Sequence, residues 1–123
     1  MNIATIIARL LLGLVFTVFG SNAFLHFMKV PTMTGPAGDF IMAMINTHYI
    51  YLVSFCQVAG GLILLLGRFV PLGLTLLGPV IVNILAYHIC MNPEGLPLAS
   101  VVSVLALFLL WRYRANFAGL VKP

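Results

Sequence analysis

Residues 3–27 read IATIIARLLLGLVFTVFGSNAFLHF and contain a single Lys, Arg, Asp or Glu, which is Arg9. Three more apolar segments follow, Tyr49 to Leu66, Val70 to Cys90 and Leu96 to Trp111. Each is close to the ~20 residues that an α-helix needs to cross ~30 Å of hydrocarbon. Hydrophobic residues make up 63% of the 123-residue chain and charged ones 7%, which is more apolar surface than a small soluble globule can cover. The sequence therefore predicts an all-α fold, an integral membrane four-helix bundle.

The predicted bounds of the four spans are residues 3–27, 48–67, 70–90 and 96–113, within a single transmembrane domain, 1–123. The connection 28–47 is long and is assigned to the outer face of the membrane. Pro31, Gly35, Pro36 and Gly38 predict a turn region at its start. The apolar residues after Asp39 predict a short interfacial helix between the first and second spans.

Glycines lie within or beside the first three spans, where small residues let helix backbones approach closely. The sequence therefore predicts glycine-mediated helix packing at residues 13, 20, 60, 61, 67, 73 and 78.

The positive charges predict the orientation of the chain. If the spans alternate, the N-terminus, the turn after the second span and the C-terminus share one side, with Arg9, Arg68, Arg112, Arg114 and Lys122. The other side has Lys29, Asp39 and Glu94. Lys and Arg accumulate on the cytoplasmic side, so both termini are predicted to be cytoplasmic. The net charge of +4 is then a topology signal, and nucleic acid is not an expected partner.

Polar side chains within the spans are candidates for function, because such groups are costly in hydrocarbon and usually face protein or a cavity. On the third span, Pro79 removes a backbone hydrogen bond, and Asn83 and Tyr87 follow on the same helix face. The spacing alone leaves structural roles open, with Asn83 bonding Ser54 or Gln57 and Arg9 extending to the membrane surface. The predicted ligand-binding candidates are Arg9, Asn22, His26, Gln57, Asn83, Tyr87 and His88.

The histidines are the candidates for a metal site. His26, His48 and His88 all fall at the outer side of the predicted bundle, where imidazoles can bind Zn or Cu. No pair has the i, i+3 or i, i+4 spacing of ligands on one helix, so a metal site is not favoured. No haem, flavin or iron–sulfur site is evident either, and Cys56 and Cys90 do not form a Cys-x-x-Cys pair.

Several motifs occur in an order that resembles the DoxX family of small bacterial membrane proteins. They are Arg9-Leu10-Leu11-Leu12-Gly13, Phe19-Gly20-Ser21-Asn22-Ala23-Phe24 with His26-Phe27, the run from Gly60 to Arg68, Pro71-Leu72, and the run from Pro79 to Ile84 with His88. The resemblance implies a four-helix bundle in a bacterial inner membrane, linked to quinone-dependent redox complexes. It further implies that Arg9, Asn22, Gln57, Asn83 and His88 line a quinone or small-molecule site.

The chain departs from that family pattern at Gln57, where relatives often have Glu before the Gly-Gly pair. An amide does not titrate, so a proton-transfer step that uses this acid is not available here.

Three functions follow from these features. The first is a redox-associated, quinone-linked membrane subunit that is not catalytic alone. The second is a non-catalytic structural or accessory subunit of a larger membrane complex. The third is a binding or carrier protein for a small hydrophobic molecule. The expected partners are the lipid bilayer and either other membrane protein subunits or further copies of the chain.

Overall fold

The computed structural model describes residues 2–25 and 34–121. Four helical segments in these two ranges are long and apolar enough to cross a membrane. The protein is therefore an all-α membrane helical bundle, and this prediction from the sequence is confirmed. The α-helices are α1 (Ile3–Leu25), α2 (Gly35–Asn46), α3 (Tyr49–Leu66), α4 (Val70–Cys90), α5 (Leu96–Arg112) and α6 (Arg114–Phe117). Short 3-10 turns cover Pro93–Gly95 and Ala118–Val121.

The four long helices pack in a ring, in which α1 contacts α3 and α5, and α4 contacts the same two helices. Neighbouring helices are antiparallel. For example, Thr5 near the start of α1 accepts a hydrogen bond from Arg112 at the end of α5. Each long helix contributes one fully buried leucine to the core, and these are Leu12, Leu64, Leu77 and Leu109.

Glycines bring α1, α3 and α4 into close contact. A Cβ atom added at Gly13 would lie 2.8 Å from the carbonyl oxygen of Gly61, and one added at Gly60 would lie 2.6 Å from Cγ of Leu77. Real Cβ atoms do not approach so closely, so the helix spacing requires glycine. The packing prediction is confirmed at residues 13, 20, 60, 61 and 73, whereas a Cβ at residue 78 would meet no atom within 4 Å. Gly67 instead ends α3 with a φ of 74°.

The short helix α2 begins four residues before Asp39, so assigning Gly35, Pro36 and Gly38 to a turn region is wrong. Proline is compatible with the first turn of a helix, because the N–H that it lacks has no intrahelical partner there. At the other end, the hydroxyl of Thr47 donates to the carbonyl of Ala43 at 2.6 Å. Pro31 lies outside the described residues.

The ends of the spans differ slightly from the predicted bounds. The described part of α1 ends at Leu25, while residues 26 and 27 lie outside the described ranges. His48 and Gly67 have left-handed backbone conformations and flank α3 rather than belonging to it. The last span ends at Arg112, with Tyr113 as its C-cap.

Candidate functional site

A cavity of about 780 Å³ lies between α1, α2, α3 and α4, at the end of the bundle where α1 ends and α3 begins. Most of its wall is apolar and aromatic, including Phe19 of α1, Met44 of α2 and Ile84 of α4. The predicted ligand candidates that line it are Asn22, Gln57, Asn83, Tyr87 and His88. Polar residues from three different helices, separated by up to 66 positions in the sequence, are thus brought to one space.

The described lining residues include no Lys, Arg, Asp or Glu. The polar groups are amides, hydroxyls and an imidazole, and amides can both donate and accept hydrogen bonds. Such a wall can orient a neutral molecule through its carbonyl or hydroxyl groups. It offers no counter-ion for a charged one, whose burial without a partner is strongly unfavourable.

Asn83 is held on its own helix. Its Nδ2 donates to the carbonyl oxygen of Pro79 at 2.8 Å. A carbonyl oxygen can only accept, so the atom of the Asn83 amide that faces Pro79 is the nitrogen. Oδ1 and the second N–H of the amide can therefore bond other partners. The sequence left open a hydrogen bond from Asn83 to Ser54 or Gln57 on the neighbouring helix, whereas this bond is within α4. Ser54 and Gln57 also line the cavity.

The imidazole of His88 is fixed by the connection that follows α4. Its Nδ1 lies 3.0 Å from the carbonyl oxygen of Asn92, so Nδ1 carries a proton and Nε2 of the neutral ring is the acceptor. A side chain at Gly95 would overlap this ring, so a larger residue there would require the imidazole to move. The ring also meets Tyr87 edge-on, with centroids 5.0 Å apart.

Helix α2 covers the cavity from one side. Phe40, Ile41, Met44 and Ile45 line it, and the ring of Phe40 lies 5.5 Å from that of Tyr87 on α4. Sequence reasoning missed these residues, as it missed the cavity position of Cys56. Their spacing of i, i+1, i+4 and i+5 places them on one face of α2, and this signal was available in the sequence.

Arg9 lies at the other end of the bundle and does not line the cavity. Its Nη1 donates to the carbonyl oxygen of Leu64 at 2.6 Å and is 3.4 Å from that of Leu65. The last carbonyls of a helix have no intrahelical partner, and a cation there also complements the helix dipole. Arg9 therefore caps the C-terminal end of α3.

Of the other two histidines, only His48 lies in the described part of the chain, and it does not line the cavity. His26 lies outside the described residues, and His48 precedes α3, where its ring stacks on Tyr51 at 5.8 Å. Within residues 2–25 and 34–121, no group of three or more His, Cys, Asp or Glu side chains is arranged to hold a metal ion. The disfavoured set of His26, His48 and His88 includes one residue outside these ranges.

Comparison with known proteins finds one similarity to report. Over 74 residues the chain is 30% identical to "Uncharacterized protein YwoB" of Bacillus subtilis (strain 168), a match that covers 60% of this chain and 48% of that protein. The aligned part thus spans about half the length of the relative. No protein-family model and no solved structure matches the chain. Membership of the DoxX family therefore stays a prediction, and what the comparisons support is similarity to a protein without an assigned function.

Proposed function

We propose that this membrane protein binds a neutral, lipid-soluble molecule of the quinone class in the cavity between α1, α2, α3 and α4. One observation carries the proposal: Asn22, Gln57 and Asn83, from three helices, converge on a single, largely apolar space. A quinone has carbonyl oxygens on an apolar ring, and it therefore needs a few hydrogen-bond donors in a hydrophobic wall.

The size and the chemistry of the cavity both support this ligand class. Its volume of about 780 Å³ lies within the range of ~300–1,000 Å³ that is usual for small-molecule sites. The amides supply donors for ligand carbonyls, and Nε2 of a neutral His88 can accept from a ligand hydroxyl. Aromatic side chains such as Phe19 and Tyr87 suit a flat ring.

The resemblance to the DoxX family extends the proposal to a quinone-linked redox complex of a bacterial inner membrane. In that role this chain supplies the quinone site, and a partner subunit carries the electron-transfer cofactor. Gln57 is then a hydrogen-bonding residue and not a proton donor, because an amide does not titrate.

The native cysteines provide the test. Cys56 lines the cavity, whereas Cys90 is exposed and does not line it. The protein in lipid nanodiscs is treated with N-ethylmaleimide at increasing decylubiquinone concentrations, and the modification of each cysteine is followed by peptide mass spectrometry. We expect the quinone to slow modification of Cys56 and to leave Cys90 unchanged. Equal rates at Cys56 with and without decylubiquinone would rule out the quinone class.

A pair of variants on α4 tests the polar contact. Asn83→Leu removes a cavity amide. The decylubiquinone concentration that half-protects Cys56 should then rise about ten-fold, which is the effect of about one or two lost hydrogen bonds. Thr75→Val is the matched control, since the Thr75 hydroxyl makes a similar bond to the carbonyl four residues earlier, at 2.8 Å, but lies outside the cavity. Superimposable protection curves for wild type and Asn83→Leu would contradict a role for this amide.

A further inference from the structure

We infer that the end of the bundle opposite the cavity binds the headgroup of an anionic phospholipid. This end, called the arginine end below, carries Arg9, Arg68, Arg112 and Arg114. The inference rests on different residues from those of the cavity and does not depend on the cavity ligand.

The antiparallel packing gathers these arginines at one end. Arg9 bonds the last turn of α3, and Arg112 at the end of α5 bonds Thr5 near the start of α1. Arg68 lies in the turn from α3 to α4, next to the same ends.

The acidic residues are at the other end of the bundle. The chain has two, Asp39 in α2 and Glu94 in the turn after α4. A helix as long as α4 separates the two ends by roughly 30 Å. The positive charge of the arginine end is therefore not neutralised by an Asp or Glu side chain of this chain.

Two of the guanidinium groups contact one aromatic ring. Arg112 and Arg114 lie over Trp111, with their Cζ atoms 5.7 Å and 4.8 Å from the ring centroid. Arg112 donates through Nε to the hydroxyl of Thr5 at 3.0 Å, and Arg114 donates through Nη1 to the carbonyl of Trp111 at 2.8 Å. A guanidinium has five N–H donors, so both exposed side chains retain donors for phosphate oxygens.

Exposed apolar side chains beside these arginines favour a lipid over an acidic soluble protein. Leu66, Phe69 and Leu120 are 75%, 76% and 78% exposed, and Trp111 is also exposed. Arginine next to exposed tryptophan and phenylalanine suits the boundary between headgroups and acyl chains. Since the arginine end has a strong net charge, an anionic headgroup fits it better than a zwitterionic one.

The experiment is lipid competition read by native mass spectrometry. The protein is released from micelles that contain equal amounts of phosphatidylglycerol and phosphatidylcholine, and the lipid that stays bound is identified. We expect wild type to retain phosphatidylglycerol preferentially. The double variant Arg112→Gln/Arg114→Gln should retain about five-fold less of it. The double variant with Lys at both positions should retain an intermediate amount. Lysine keeps the charge but lacks the planar guanidinium that can donate two hydrogen bonds to one phosphate.

Three outcomes would overturn the inference. They are equal retention of the two lipids by wild type, unchanged retention in the double Gln variant, and displacement of phosphatidylglycerol by millimolar inorganic phosphate alone. If the double Gln variant does not fold, the inference is tested with the wild-type protein alone, by its melting temperature in the two lipids. Its melting temperature should then be higher in phosphatidylglycerol than in phosphatidylcholine, and equal values would overturn the inference.

Discussion

Arg9 illustrates how a charged side chain is accommodated about two turns inside an apolar helix. Its guanidinium reaches across to the carbonyls that end α3 and lies against Gly67, where a Cβ would meet the guanidinium. Nε of Arg9 is buried and has no hydrogen-bond partner within the described part of the chain. The residue thus joins two helices, and its contacts are structural ones at the arginine end.

Replacing Arg9 should therefore affect stability more than ligand binding. Arg9→Leu leaves the carbonyls at the end of α3 without their donor and should destabilise the protein by about 1–3 kcal/mol. Thermal unfolding in detergent measures the change. The decylubiquinone concentration that gives half-maximal protection of Cys56, called the midpoint, should stay at its wild-type value. A shifted midpoint with unchanged stability would instead make Arg9 a ligand-binding residue.

Gly61 allows a close approach of α1 to α3. A Cβ added there would lie 2.6 Å from the hydroxyl of Thr17 and 2.8 Å from the carbonyl oxygen of Gly13. Because the second of these atoms belongs to the backbone, Gly61→Ala must push the helices apart, and we expect a loss of about 1–3 kcal/mol in unfolding free energy. The melting temperature in detergent is the measurement.

Gly78→Ala is the matched control for that substitution, because a Cβ there meets no atom within 4 Å. It should leave stability unchanged or raise it by up to about 1 kcal/mol. Equal losses in the two variants would mean that backbone flexibility, and not close packing, explains the glycines.

At the scale of helices, the spans could be predicted because membrane-crossing length and hydropathy are local properties of the sequence. The start of α2 could not, since Gly35 and Pro36 are compatible with either a turn or a first helical turn. The polar cavity residues stood out as polar groups in apolar segments. Phe19 did not, because an apolar side chain that faces a cavity and one that faces lipid have the same hydropathy. The spacing that places Phe40 on one face of α2 is visible in the sequence, but it does not show that this face meets a cavity.

Helix α2 should control access to the cavity. Phe40 lines the cavity and contacts Tyr87, whereas Met42 on the same helix does not line it. Phe40→Ala should therefore increase the rate of Cys56 modification by N-ethylmaleimide several-fold. Met42→Ala should leave the rate at its wild-type value. Equal rates in both variants would show that the reagent reaches Cys56 by a path that does not involve α2.

At the scale of the whole molecule, the two ends of the bundle differ in chemistry. One end has the neutral cavity together with Asp39 and Glu94, and the other has the arginines. The charge asymmetry could be predicted from the order of the spans. The cavity could not, since it depends on which helices become neighbours in the ring.

The orientation of the chain can be tested with alkaline phosphatase, which is active only outside the bacterial cytoplasm. The start of α1 and the end of α5 lie at the same end of the bundle, as the bond between Thr5 and Arg112 shows. A fusion at the C-terminus should therefore be inactive, and an insertion after Glu94 should be active. The reverse pattern would contradict cytoplasmic termini and would place the arginine end outside.

Trp111, the single tryptophan of the chain, lies against two guanidinium groups and does not line the cavity. Its fluorescence emission is consequently an intrinsic optical signal from the arginine end alone. Quenching by brominated lipids would report on acyl chains next to this ring in the unmodified protein. The spectrum should respond to headgroup charge and stay unchanged in shape when a ligand occupies the cavity, so that the two ends of the molecule can be observed separately in one sample.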